Sequence, residues 1–165
     1  MPTEVWQRGF VPGYQPLLMP VVHSFLQVKE DIDTLVADLD EELLWREPAG
    51  AASIGFHVRH IGGSTERLLT YARGERLSPE QLAAAKAESR ERPLRDALVA
   101  EVQAALDRAL TQVRNTSADS LLIERKVGRA GLPSTTLGLL FHAAEHATRH
   151  AGQAVTTKRI LAGLR

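Results

Sequence analysis

Apolar residues return every three or four positions over most of this chain, a spacing that predicts helix nearly throughout. Leu18, Val21, Val22, Phe25, Val28, Ile32, Leu35, Val36 and Leu39 mark a first helix over about 17–39. Pro16 and Pro20 lie at its start, where missing N–H groups cost least. The segment Asp40–Gly50 (DEELLWREPAG) reads as a loop. Ser53 is placed to cap a second helix that runs to about Arg73 and is closed by Gly74. Ser78-Pro79-Glu80-Gln81 is a capping box with proline in the first turn, opening a short helix to about Arg90. Pro93 begins another helix, with Leu94, Ala97, Leu98, Val102, Ala105, Leu106, Leu110 and Val113 on its apolar face. Thr116–Pro133 is irregular, and LLIERKV within it reads as a short strand or an extended crossing segment. A last helix follows Ser134-Thr135-Thr136 and runs to about Leu161. The expected fold is all-α: a four-helix bundle with one extra short helix and almost no strand. The longer connections, 74–93 and 116–134, leave its topology open.

Composition narrows the class. A length of 165 residues suits one domain, 1–165, with a core of its own. Twenty Lys and Arg balance twenty Asp and Glu, and a chain without basic excess is a poor candidate for binding nucleic acid. The absence of cysteine removes disulfides, thiolate metal sites and cysteine nucleophiles together. No apolar stretch approaches the roughly 18–20 residues of a membrane span. The N-terminus MPTEVWQRGF lacks the apolar core of a signal peptide. The expectation is a soluble, cytoplasmic protein.

The chemistry lies in the histidines. Of six, five fall in two short windows. LLFHAAEHATRHAGQA places His142, His146 and His150 four apart on the last helix, and SIGFHVRHIGGS places His57 and His60 three apart on the second. Residues at i and i+4 share a face, so neighbouring imidazoles can ligate one ion, and bundles commonly build metal sites from two such helices. Imidazole suits Zn, Ni, Fe or Cu, and a three-histidine set leaves a position open. The plainer reading, histidines as core or capping residues, fits His23, isolated on the first helix. At about 100° per residue, His150 falls inside the apolar arc of the last helix, His146 at its border and His142 further out. On the second helix the same projection favours His57 over His60.

These residues resemble the DinB-like superfamily, including its YfiT-type metal-dependent hydrolases and thiol-dependent S-transferases. The matching segments are His146-Ala-Thr-Arg-His150-Ala-Gly152-Gln153 and Ser53-Ile-Gly-Phe-His-Val-Arg-His60. The resemblance implies a four-helix bundle with a three-histidine site for a divalent metal ion, Zn or Ni. One ligand comes from the second helix and two from the last. It implies His60, about seven residues past the helix start, with His146 and His150; His57 is the alternate that the helical projection prefers. His142 has no counterpart among those ligands and is left a pocket-lining or second-shell role.

Other groups carry weaker signals. Glu145 points about 100° from His146, so the pattern is not that of a zincin. Glu66 reads as a solvated helix charge, and Ser64 as a residue able to orient a ligand or touch substrate. Gly62-Gly63 marks either close helix packing or room for a ligand, with packing preferred. Arg59, Arg67 and Arg149 suit an anionic substrate or simply an outer helix face.

The function so read is a metal-dependent enzyme that activates a water or a low-molecular-weight thiol, a hydrolase or an S-transferase, acting on a small molecule. Without cysteine, any thiol comes from a cosubstrate. The alternative is a non-catalytic bundle with a structural or vestigial metal site, acting as a stress-related binding protein. No nucleic-acid or membrane partner is expected. A homodimer is.

Overall fold

A computed structural model describes residues 3–163. Six α-helices carry most of the chain: α1 (Met19–Val36), α2 (Glu41–Trp45), α3 (Ile54–Ala72), α4 (Pro79–Ala87), α5 (Arg95–Asn115) and α6 (Thr136–Gly163). The four long ones share a continuous apolar core. Helix α3 packs on α6 and α5, and α1 packs on both from the other side. Phe25, Ile32, Ile54, Ile61, Leu98, Leu106 and Leu140 are fully buried there, at the three-and-four spacing that the periodicity anticipates. No helix among the described residues is long and apolar enough to cross a membrane.

Three expectations need correction. The loop expected at Asp40–Gly50 contains α2, so there are two short helices beside the long ones rather than one. Asp40 caps α2 by accepting a hydrogen bond from the Leu43 amide at 2.7 Å, and five residues are too few to show a period. The segment LLIERKV, read as a short strand or an extended crossing, does hold a strand, but with an unexpected partner: β1 (Glu124–Val127) pairs antiparallel with β2 (Leu132–Thr135), with Glu124 opposite Thr135 and Val127 opposite Leu132. Its connection turns on Gly128 and Gly131, both with positive φ (67° and 63°). Finally, the two central helix boundaries tighten. Helix α4 ends at Ala87 instead of Arg90, and α5 begins at Arg95, whose amide donates to the Glu41 carboxylate at 2.9 Å. That cap comes from far away in sequence, which local reading has no means to find.

The helix that matters most for function starts as anticipated. Ser53 Oγ accepts from the Phe56 amide at 3.1 Å and caps α3. Two glycines of α3 decide its neighbours. A Cβ on Gly62 would sit 3.3 Å from Val102 Cγ2, so this glycine brings α3 close against α5. A Cβ on Gly55 would fall 2.7 Å from the Trp45 ring, which lies over the start of α3 with its indole N–H donating to the Pro93 carbonyl at 3.2 Å. Helix α2 thus closes one end of the core.

A candidate metal centre between α3 and α6

Where α3 faces α6, their histidines meet. His60, His146 and His150 each direct one ring nitrogen into a common space, all within 4.8 Å of one another. His60 Nε2 and His146 Nε2 are 3.0 Å apart. Ring centroids lie 4.5 Å apart for His60–His150 and 4.6 Å for His146–His150. The local reasons are simple: four residues separate His146 from His150 on α6, and His60 opposes them across the α3–α6 seam. All three are half-buried.

His57 stands apart from that group. It is buried (7% exposed), and its Nδ1 lies 3.0 Å from His150 Nδ1, so one of these nitrogens donates to the other. His142 is exposed at the rim, with Nδ1 2.7 Å from Glu145 Oε1. His23 is remote: its Nε2 donates to the Gly9 carbonyl at 3.0 Å and ties the N-terminal segment to α1. Ser64 turns back to its own helix, donating to the His60 carbonyl at 2.6 Å. The three arginines near the histidines are all engaged: Arg59 with Glu91, Arg149 with Glu145, and Arg67 with Glu88. Glu66 pairs with Arg108 across to α5.

Glu88 was not legible in the sequence. It follows the last turn of α4, in a charged run (KAESRERP) that reads as solvent-facing, yet it is only 8% exposed. Its Oε2 lies 3.2 Å from His60 Nδ1 and 3.0 Å from Arg67 Nη2. Burial pushes this carboxyl up, but His60 and Arg67 outweigh that, and it stays ionised below the usual range.

The protonation of the cluster follows from the same geometry. Burial first, then the neighbouring His60, His146 and His57, press His150 down to about 4. Burial and then His60 also lower His57 and His146. At neutral pH these imidazoles are therefore neutral, the form that binds metal.

A divalent ion fits these residues. Two ring nitrogens at 3.0 Å must share either a proton or a cation, and three imidazoles converging on one point are the donor set of an open metal site. The nitrogens turned away from that contact do not compete for it: His146 Nδ1 is buried without a hydrogen bond, and His60 Nδ1 faces Glu88 Oε2 at 3.2 Å.

A helical scaffold whose second and last long helices bring three imidazoles together defines a class of histidine-bearing helical proteins. The chain belongs to the DinB superfamily, whose family model matches residues 24–154. Among solved structures it is similar to a DinB-like protein from Bacillus cereus ATCC 10987. The two are 15% identical with a TM-score of 0.67, covering 86% of this chain and 91% of that one. At that identity the shared property is the fold. No curated protein matches the chain.

Proposed function

We propose that this protein is a metal-dependent enzyme acting on a small molecule. In this reading the four long helices work as a four-helix bundle, and His60, His146 and His150 hold a divalent ion, Zn or Ni. The observation that carries it is the convergence of those three imidazoles within 4.8 Å. The ion would supply Lewis-acid activation of a water or of a low-molecular-weight thiol, giving a hydrolase or an S-transferase. The absence of cysteine assigns any thiol to a cosubstrate.

The rest is work for the chain's own side chains. His57, buried behind His150, holds that ring through the Nδ1–Nδ1 contact and fixes which nitrogen faces the centre. Phe56 stacks on His60 at 5.6 Å and 12°, which restrains the ring and excludes water from one face. On the open side, His142, Glu145 and Arg149 form an ion-paired rim suited to polar substrate groups. A cavity of about 240 Å³ lined by Trp45, Ser53, Phe56, Glu88 and Arg92 lies on the Phe56 and Glu88 side of the centre, with none of the three histidines in its wall. We assign the protein no nucleic-acid partner, in keeping with its balanced charge, and a homodimeric state that would cover exposed apolar side chains such as Trp6, Phe10, Leu17 and Phe141.

The test is metal analysis of protein purified without a histidine tag, followed by a screen of thiol cosubstrates and hydrolysable small molecules with and without chelator. About one equivalent of ion and chelator-sensitive turnover are expected. Bound ion with a saturated coordination sphere and no turnover would return the non-catalytic reading. No ion at all would remove the reading's main support.

A further inference from the structure

The least expected feature of the site is the buried carboxylate behind it. Glu88 Oε2 sits between two cationic or polar groups, 3.0 Å from Arg67 Nη2 and 3.2 Å from His60 Nδ1. Its place is made by an absence: a Cβ on Gly63 would lie 2.4 Å from Glu88 Oε1 and 2.9 Å from Arg67 Nη1. A glycine in mid-helix is otherwise unfavourable, so Gly63 keeps a slot open for this carboxylate. Gly62, one residue earlier, serves a different neighbour, Val102 of α5.

The slot settles where the His60 proton resides. Nδ1 is shut off from solvent and has no hydrogen-bond partner in line. A bare lone pair there would face an ionised oxygen at 3.2 Å, which is repulsive; an N–H there is attracted to it. A neutral imidazole protonated on Nδ1 has its lone pair on Nε2, the nitrogen that faces His146 Nε2 at 3.0 Å. Arg67 keeps the carboxylate charged, and the Phe56 ring stacks on one face of His60. A tie between α4 and α3 would need only Arg67 and Glu88; it would not need the same oxygen to reach His60.

We infer that Glu88 is a positioning residue for the centre: from the slot opened by Gly63 it holds the His60 proton on Nδ1 and leaves the Nε2 lone pair facing His146 and His150. This builds on the metal-centre reading. A carboxylate behind a ligating imidazole orients the ring and raises its basicity, and losing such a partner typically costs about 10–100-fold in metal affinity.

Two measurements on the full chain test it. The first, on metal-free protein, is nitrogen-15 NMR of labelled histidines, which reports the tautomer directly. Wild type should show His60 protonated on Nδ1. Glu88→Ala should lose that preference, and Glu88→Gln, which keeps an acceptor oxygen, should restore it. The second is zinc affinity by competition with a chromophoric chelator. Glu88→Ala should bind about 10–100-fold more weakly and Glu88→Gln should recover part of the loss, while Glu91→Ala, at the exposed partner of Arg59, should match wild type. Should Glu88→Ala fold poorly, Gly63→Ala provides the same displacement with every charge retained, in a substitution that helix propensity favours, and it should also weaken zinc binding. His60 protonated on Nε2 in wild type would overturn the inference. So would a tautomer and zinc affinity in Glu88→Ala that stay within twofold of wild type. If wild type binds no zinc, the metal reading fails separately, and the tautomer measurement still decides the role of Glu88.

Discussion

His146 and His150 are equivalent by spacing but not by surroundings. His146 faces His60 Nε2 and lies near the exposed His142, whereas His150 is backed by buried His57. Both direct a nitrogen into the common space, so His146→Ala and His150→Ala should each lose most of the bound ion, measured by inductively coupled plasma mass spectrometry. His142→Ala should lose little, because that ring pairs with Glu145 at the rim. The pair on α3 gives the sharper contrast. His60→Ala should strip the ion, while His57→Ala should retain it with weakened affinity. The reverse result would move the α3 ligand by one turn. The helical projection preferred His57 because it measures direction relative to the centre of the apolar arc. A site on the seam between two helices need not face the centre of that arc, and His60, further round the helix than His57, is the one that meets His146 and His150.

The helices themselves show which contacts tolerate change. Gly55 meets the Trp45 ring at 2.7 Å, and an indole held by the Pro93 carbonyl cannot easily withdraw. Gly55→Ala should therefore destabilise by about 1–3 kcal/mol and loosen the contact of α2 with α3. Gly152, exposed on α6 with nothing near its missing Cβ, offers the opposite case: Gly152→Ala should stabilise by up to about 1 kcal/mol through helix propensity. Thermal denaturation of the two variants side by side checks the sign of each. Helix α2 also shows why some elements escape local reading. Its five residues make little more than one turn, and its neighbours rather than its period hold it in place. The β1–β2 hairpin is legible only in half: LLIERKV already reads as a short strand or extended segment and holds β1, whereas Pro133 argues against its partner β2, which Gly128 and Gly131 allow to turn back and pair.

At the scale of the whole molecule, the lowered histidines link stability to pH. Where a group's pKa is depressed on folding, the unfolded chain binds more protons between the two values, and stability rises with pH across that interval. His150 moves from 6.5 down to about 4, and His57 and His146 move in the same direction. Their contribution is fully present above about 6.5 and is lost as pH falls toward 4. Glu88, also depressed, acts with the same sign at the acid end of the range. Chelator-treated protein should accordingly show a nearly constant melting temperature from pH 8 to 7 and a progressive fall from about 6.5 downwards. A melting temperature that rises on acidification through this range would contradict the assignment. With zinc present at about 100 times its dissociation constant, stability at neutral pH should increase by roughly 2.7 kcal/mol. That increment should shrink only toward the acid end of the series, where protons begin to compete with the ion for the depressed imidazoles. Light scattering across the same series would test the proposed dimer.

By itself the sequence determined the long helices, the capping of α3 and α4, and the two windows that hold five of the six histidines. Periodicity, caps and i, i+4 spacing are local properties, written in consecutive residues. The tertiary structure alone decided which of those histidines meet. It placed His60 rather than His57 with His146 and His150, through the relative rotation of α3 and α6. It also brought Glu88, an unremarkable member of a charged run, into the slot left by Gly63. Both outcomes depend on how helices far apart in the chain are turned and spaced against each other, a property set by packing of the common core and absent from any single window of the sequence.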